Sequence, residues 1–248
     1  MHKLGQTRSS QQANHLLLTA DTFVRSPLPG MKGCTAIVHA GPALGAAFTE
    51  YTAEFEAGGE LGGTSAQRFV FVMEGSVSVE VAGKRTVLGS RGYAYFPEGA
   101  AHRVVATKVS RVVVIEKPYQ ALASVNAPRA IISHEDTVSS NALNDDPDLQ
   151  VKCLLPDEMS FDFAVNTMTY RPGAALSMVE MHVMEHGLIM LEGGGIYRLG
   201  DAWYPVTAGD FIWMGPWCPQ WFGAIGKAPA KYLIYKDWNR HPLAGVQR

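Results

Sequence analysis

Residues 69–106 read FVFVMEGSVSVEVAGKRTVLGSRGYAYFPEGAAHRVVA, and residues 188–224 read LIMLEGGGIYRLGDAWYPVTAGDFIWMGPWCPQWFGA. The first run breaks into short apolar segments at Phe69–Met73, Val77–Val81, Thr86–Leu88, Tyr93–Phe96 and His102–Ala106, with Arg111–Glu116 just beyond. Turn chemistry separates them at Glu74-Gly75, Ala82-Gly83, Ser90–Gly92 and Pro97–Gly99. Closely spaced strands joined by tight turns predict a sandwich or a barrel. The second run repeats the first, with LEGG against MEGS, AGD against RGY, and MGPWCPQ against FPEGAAH. Outside these runs, Phe161–Tyr170 corresponds to Ala46–Phe55 and Pro172-Gly173 to Gly58-Gly59, while Cys34–Ala40 is a further strand candidate. A tandem duplication of one strand-rich unit is the simplest account.

The expected organisation is all-β: an N-terminal arm over 1–25, a barrel over 26–120, a connection over 121–150 and a second barrel over 151–248. Hydrophobic residues at 47% and charged residues at 18% of 248 fit an ordinary globular chain. A net charge of −2 and the absence of basic runs give no reason to expect nucleic acid. The three cysteines, Cys34, Cys153 and Cys218, lie far apart without C-x-x-C pairing, so neither a disulfide framework nor a thiolate metal site is indicated. Leu16–Leu18 is too short for a signal-peptide core, and no stretch approaches a membrane span, so the cytoplasm is the expected location. Gly193–Gly195 sit in a strand turn with no following helix to receive a phosphate.

Within PGAALSMVEMHVMEHGLIMLEGG (172–194), Glu180, His182 and His186 form E-x-H-x3-H, with Gly193 after six further residues. If the segment is a strand, Glu180 and His182 share a face. One carboxylate and two imidazoles are a usual partial set for a divalent transition metal. Single exposed Glu or His residues are ordinarily surface decoration; here they sit among apolar strand formers, where burying unpaired ionisable groups is costly. Glu185 has the opposite parity to His182 and is not expected to ligate.

Spacing and duplication together resemble the cupin superfamily, with its two conserved metal-binding motifs. The resemblance places Glu180, His182 and His186 in the ligand slots of the first motif, and Gln220 where the second motif's histidine stands. A glutamine carbonyl shifts the metal preference toward manganese. In the first copy the corresponding slots hold Gly62, Thr64 and Arg68, which leaves His102 alone, read as a packed or hydrogen-bonded residue. The first barrel is therefore expected to be structural.

Three further segments, GDFIWMG (209–215), WFGAIGK (221–227) and YLIYKDWNR (232–240), narrow the resemblance to the (S)-ureidoglycine aminohydrolase family of bicupins. That resemblance implies a hydrolase acting on a C–N bond, which converts (S)-2-ureidoglycine to (S)-ureidoglycolate and ammonia in allantoin degradation. It also implies manganese held by Glu180, His182, His186 and Gln220, and substrate contacts from Glu180, Gln220, Tyr232 and Lys236. Glu180 and Lys236 take the catalytic roles, proton handling and orientation of a carboxylate respectively, in a homo-oligomer. Without the family, Lys236 would read as a surface lysine and Tyr232 as a core aromatic. Competing readings are another metal cupin acting on a small carboxylic acid, such as a dioxygenase or isomerase, and a non-enzymatic binding protein.

Overall fold

The computed structural model describes residues 6–240; residues 1–5 of the expected arm and 241–248 of the expected second barrel lie outside the described residues. Two short strands come first, β1 (Ser10–Gln11) and β2 (His15–Leu18). Next are β3 (Lys32–Ala40), β4 (Thr49–Glu60), β5 (Gln67–Glu74), β6 (Ser76–Val81) and β7 (Lys84–Gly89). They are followed by β8 (Gly92–Phe96), β9 (His102–Ala106), β10 (Ser110–Lys117) and β11 (Ile131–His134). The second set is β12 (Asn141–Leu143), β13 (Asp146–Cys153), β14 (Phe163–Tyr170), β15 (His186–Glu192) and β16 (Gly194–Leu199). It closes with β17 (Ala202–Thr207), β18 (Phe211–Met214), β19 (Gln220–Ala224) and β20 (Ala230–Asp237). Only short 3-10 turns interrupt the strands, and among the described residues no helix is long and apolar enough to cross a membrane.

The chain divides into two compact units, Val24–Val138 and the remainder before and after it. In the first, β8, β5, β10, β4 and β3 lie side by side, and β9, β6 and β7 form the facing layer. In the second, β18, β15, β20, β14 and β13 make the large layer, and β17, β16 and β19 the small one. The two registers match residue for residue. Arg68 lies opposite Phe96 and Glu116 in the first unit as His186 lies opposite Met214 and Lys236 in the second. Val81 opposite His102 repeats as Leu199 opposite Gln220.

Alternation along the strands sends one side-chain row into each barrel. Val70, Val72, Val77, Val79, Val112 and Val114 fill the first interior; Leu188, Met190, Tyr197, Leu199, Ile212 and Ile234 fill the second. Burying each such side chain contributes about 1.5–3 kcal/mol. Gly75 and Gly193 end the equivalent strands β5 and β15 region with positive φ of 87° and 65°. A β-carbon at either would collide with the backbone of Val109 or of Pro229, so only glycine fits both repeats.

The stretch read as a connection over 121–150 is divided between the units. Ile131–His134 pairs with β8, and the segment from Asn141 joins β13 and the second sheet. The arm is not free either. Leu16–Leu18 are too few to build an element alone, but as β2 they pair with β18 in the second unit. Arg8 makes a bidentate contact to the buried Asp210 at 2.6 and 2.9 Å, which ties the arm down.

Candidate metal and substrate site

His186 opens β15, and its parity with the core residues Leu188 and Met190 directs it into the second barrel. Lys236 lies directly opposite on β20, with Ile234 and Tyr232 on the same face. Gln220 opens β19 on the facing layer. Glu180 and His182 are not on a strand, contrary to the expectation from parity. Pro172-Gly173 turns the chain out of β14, with Gly173 at φ 85°, and the following segment crosses the mouth as a loop. Backbone hydrogen bonds hold that loop to β19, among them Leu176 N–H to Phe222 O at 2.9 Å, Glu180 N–H to Gln220 O at 2.8 Å and Gln220 N–H to Glu180 O at 2.9 Å. Another runs from Trp217 N–H to His182 O at 2.7 Å. Trp217 adopts φ 63°, a left-handed conformation that is strained for a bulky side chain, at the turn that delivers Gln220.

These residues line one cavity of about 270 Å³. Its polar end carries Glu180, His182, His186, Gln220, Tyr197, Tyr232 and Lys236, and its wall includes Leu176, Met184, Ile234 and Trp238. His182 Nε2–H donates to Glu180 Oε2 at 3.1 Å, and the two imidazole rings of His182 and His186 lie 5.1 Å apart. His186 Nδ1 and Gln220 Oε1 are buried without a hydrogen-bond partner. A buried carboxamide oxygen left without a donor, as at Gln220, is costly unless something binds it. Burial, then the charges of Lys236 and His182, hold His186 well below the ordinary histidine range, which keeps it neutral as a metal ligand must be. The donor set therefore fits a divalent ion in residue type and in the unsatisfied Gln220 oxygen. Among the described residues, though, no group of three or more His, Cys, Asp and Glu side chains is already arranged to hold one.

Lys236 is half-buried, and the desolvation this brings lowers its pKa against the opposing pull of Cys153, Glu180 and Asp157. With the Asn166 carboxamide assigned in the orientation that satisfies both its ends, Lys236 Nζ donates to its oxygen at 3.3 Å and its amide donates to Val165 O at 3.0 Å. The Trp238 ring centroid is 5.9 Å away. Among the described residues no ion pair neutralises this lysine within 4.0 Å. Tyr232 is buried, and its hydroxyl meets that of Tyr170 at 2.7 Å. Burial first, then neighbouring phenols and Glu180, push the Tyr197 and Tyr232 hydroxyls well above the usual tyrosine range, so both are protonated hydrogen-bonding groups.

All the residues expected at the site from sequence thus line one cavity. Tyr197, Asn166, Tyr170 and Trp238 were not among them. Tyr197 shares the inward parity of Leu199, the residue opposite Gln220, so register would have placed it there. Tyr235 is buried on the opposite face of β20 from Tyr232 and does not line the cavity. Glu185 is likewise turned away, accepting a hydrogen bond from the buried Trp213 Nε1–H at 3.0 Å.

The first barrel is an internal control. Arg68, in the place of His186, donates to Glu116 Oε1 through Nε at 2.8 Å, to Gly62 O at 2.8 Å and to His102 Nε2 at 3.0 Å. Glu116, in the place of Lys236, also accepts from Tyr51 at 3.0 Å. His102 Nδ1–H donates to Ala100 O at 2.7 Å and the ring stacks on Phe96, so both nitrogens are satisfied. A guanidinium and its carboxylate fill the place of the ligand set.

Two family models match the chain, one described as a cupin domain over residues 166–235 and one as an EutQ-like cupin domain over 43–119. The (S)-ureidoglycine aminohydrolase of Arabidopsis thaliana is 38% identical over 244 residues, covering 96% of this chain and 80% of that protein. The protein of the same name from Escherichia coli (strain K12) is 30% identical over 237 residues, covering 93% and 90%. The crystal structure of protein Ylba from E. coli superposes with a TM-score of 0.85 at 28% identity, covering 98% of this chain and 97% of that one. The chain belongs to the (S)-ureidoglycine aminohydrolase family, within the two-barrel cupins.

Proposed function

We propose that this protein is a manganese-dependent hydrolase that converts (S)-2-ureidoglycine to (S)-ureidoglycolate and ammonia in allantoin degradation, acting as a cytoplasmic homo-oligomer. The observation that carries the reading is Lys236, a half-buried cation without a carboxylate partner in a small cavity beside the unpartnered Gln220 Oε1. A charge drawn partly out of water favours a counter-charge, and the substrate's carboxylate supplies it.

Glu180, His182, His186 and Gln220 would hold the manganese. The chemistry it supplies when bound is Lewis-acid charge stabilisation at the reacting centre. Lys236 and Tyr232 bind and orient the substrate, so that one face of its α-carbon meets Glu180. In the net reaction a water oxygen becomes bonded to that carbon and the amino nitrogen leaves as ammonia. Glu180 is the carboxylate placed to accept a proton from water and return it to the departing nitrogen. The apolar wall limits water around the reacting atoms. The second barrel is the catalytic one in this reading, and the first is structural.

The test is ammonia release from freshly prepared (S)-ureidoglycine, with metal content measured on the same samples. His186→Ala should lose both bound manganese and ammonia release. Full activity in a metal-free His186→Ala protein would overturn the scheme.

A further inference from the structure

We propose that Tyr170 is a positioning residue that fixes Tyr232 as a hydrogen-bond donor into the cavity, so that the ligand group meeting Tyr232 must be an acceptor oxygen. The inference deepens the proposed function and rests on it for the substrate. Hydrogen-bond accounting carries the argument. The two hydroxyls are 2.7 Å apart and both rings are buried. Between two hydroxyls one proton lies in the contact and the other must go elsewhere.

The two ends of the pair are not equivalent. Tyr232 lines the cavity and Tyr170 does not. The Tyr170 ring is wedged edge-on against Phe222, with centroids 4.9 Å apart and planes at 83°, and tilts against the Tyr232 ring at 5.6 Å. Among the described residues the Tyr170 hydroxyl has no other hydrogen-bond partner than Tyr232. If Tyr232 donated to Tyr170, the Tyr170 proton would be left buried without an acceptor, which is unfavourable. If Tyr170 donates to Tyr232, the remaining proton is the Tyr232 O–H, which belongs to the cavity-lining residue and can be taken up by a ligand acceptor there. Donation into the Tyr232 oxygen also polarises its own O–H, strengthening what it offers the ligand.

The cavity consequently presents two donors on one strand, Tyr232 O–H and Lys236 Nζ, separated by one turn of the pleat in Ile234. Such a pair matches a ligand with anionic or carbonyl oxygens and rejects one that places an N–H at Tyr232. In the proposed substrate, the carboxylate and the ureido carbonyl are the groups that qualify.

The experiment is a double-mutant cycle with Tyr170→Phe, Tyr232→Phe and the double variant, reading KM and kcat for ammonia release on the manganese-loaded enzyme. Thermal melts check that each variant is folded. Tyr170→Phe frees the Tyr232 hydroxyl to rotate, and KM should rise about 3- to 10-fold with kcat changed much less. In the Tyr232→Phe background the same substitution should leave KM unchanged, because Tyr170 acts only through that hydroxyl. Tyr170→Met removes the same hydroxyl with a different shape, and should raise KM alike. Equal KM in wild type and Tyr170→Phe, or a Tyr170→Phe effect that persists without the Tyr232 hydroxyl, would overturn the proposal. Absence of ureidoglycine turnover by the wild-type enzyme would instead overturn the proposed substrate.

Discussion

Lys236→Met makes the cost and the use of one partly buried charge separately measurable. Among the described residues Lys236 Nζ meets the Asn166 oxygen at 3.3 Å and an aromatic ring 5.9 Å off, with no carboxylate within ion-pair distance. A charge-assisted hydrogen bond to a substrate carboxylate contributes roughly 1.5–3 kcal/mol. At about 1.4 kcal/mol per decade, its loss should raise KM roughly 10- to 150-fold. The carboxylate keeps its charge through the reaction, so the contact is uniform and kcat should change little. Stability should move the other way. Burial lowers the lysine's pKa, so below its unfolded value of 10.5 the charged form weighs against folding. Methionine keeps the stem and removes the charge, and the ligand-free protein should gain about 1 kcal/mol, or roughly 2–4 °C in Tm. Steady-state ammonia release and a thermal melt check the two halves. An unchanged KM would refute the carboxylate contact, and a fall in Tm would refute the claim that this lysine is held at a cost to stability.

The first barrel yields the opposite expectation. Arg68→Met strands Glu116 and removes the donors to Gly62 O and His102, so unfolding in urea should show a loss of about 3 kcal/mol, with manganese per chain unchanged by elemental analysis. Glu50 in β4 is buried, with Oε2 unpartnered, and burial pushes its carboxyl up to about 8. A raised carboxyl pKa contributes stability below the unfolded value of 4.5 that is lost as pH rises to about 8. Glu50→Gln should therefore gain on wild type in melts taken from pH 5 to pH 8 and level off above, and a pH-independent difference would contradict the assignment.

The strands were legible because the barrel interior imposes alternation and the turns demand glycine. Val77 and Val79 in β6 and Gly75 before them satisfy both rules, and the second copy repeats them. Duplication also aligned Arg68 with His186 and His102 with Gln220, which the strand registers reproduce. What could not be read was what depends on partners distant in sequence. Parity put Glu180 and His182 on a strand, whereas their loop is held by a bridge to Gln220. IISH (131–134) carries little period of its own and becomes a strand because β8 offers it an edge. Asn166 and Tyr170 look like ordinary strand residues, and only the neighbouring β20 turns them into partners of Lys236 and Tyr232.

The most direct measurement of the central claim is ammonia release from fresh (S)-ureidoglycine by one protein preparation, stripped of metal and then reloaded with manganese. The account predicts release at the uncatalysed rate from the stripped protein, and saturable, manganese-dependent release yielding (S)-ureidoglycolate after reloading. Release at the uncatalysed rate from a protein that has bound manganese stoichiometrically would contradict it.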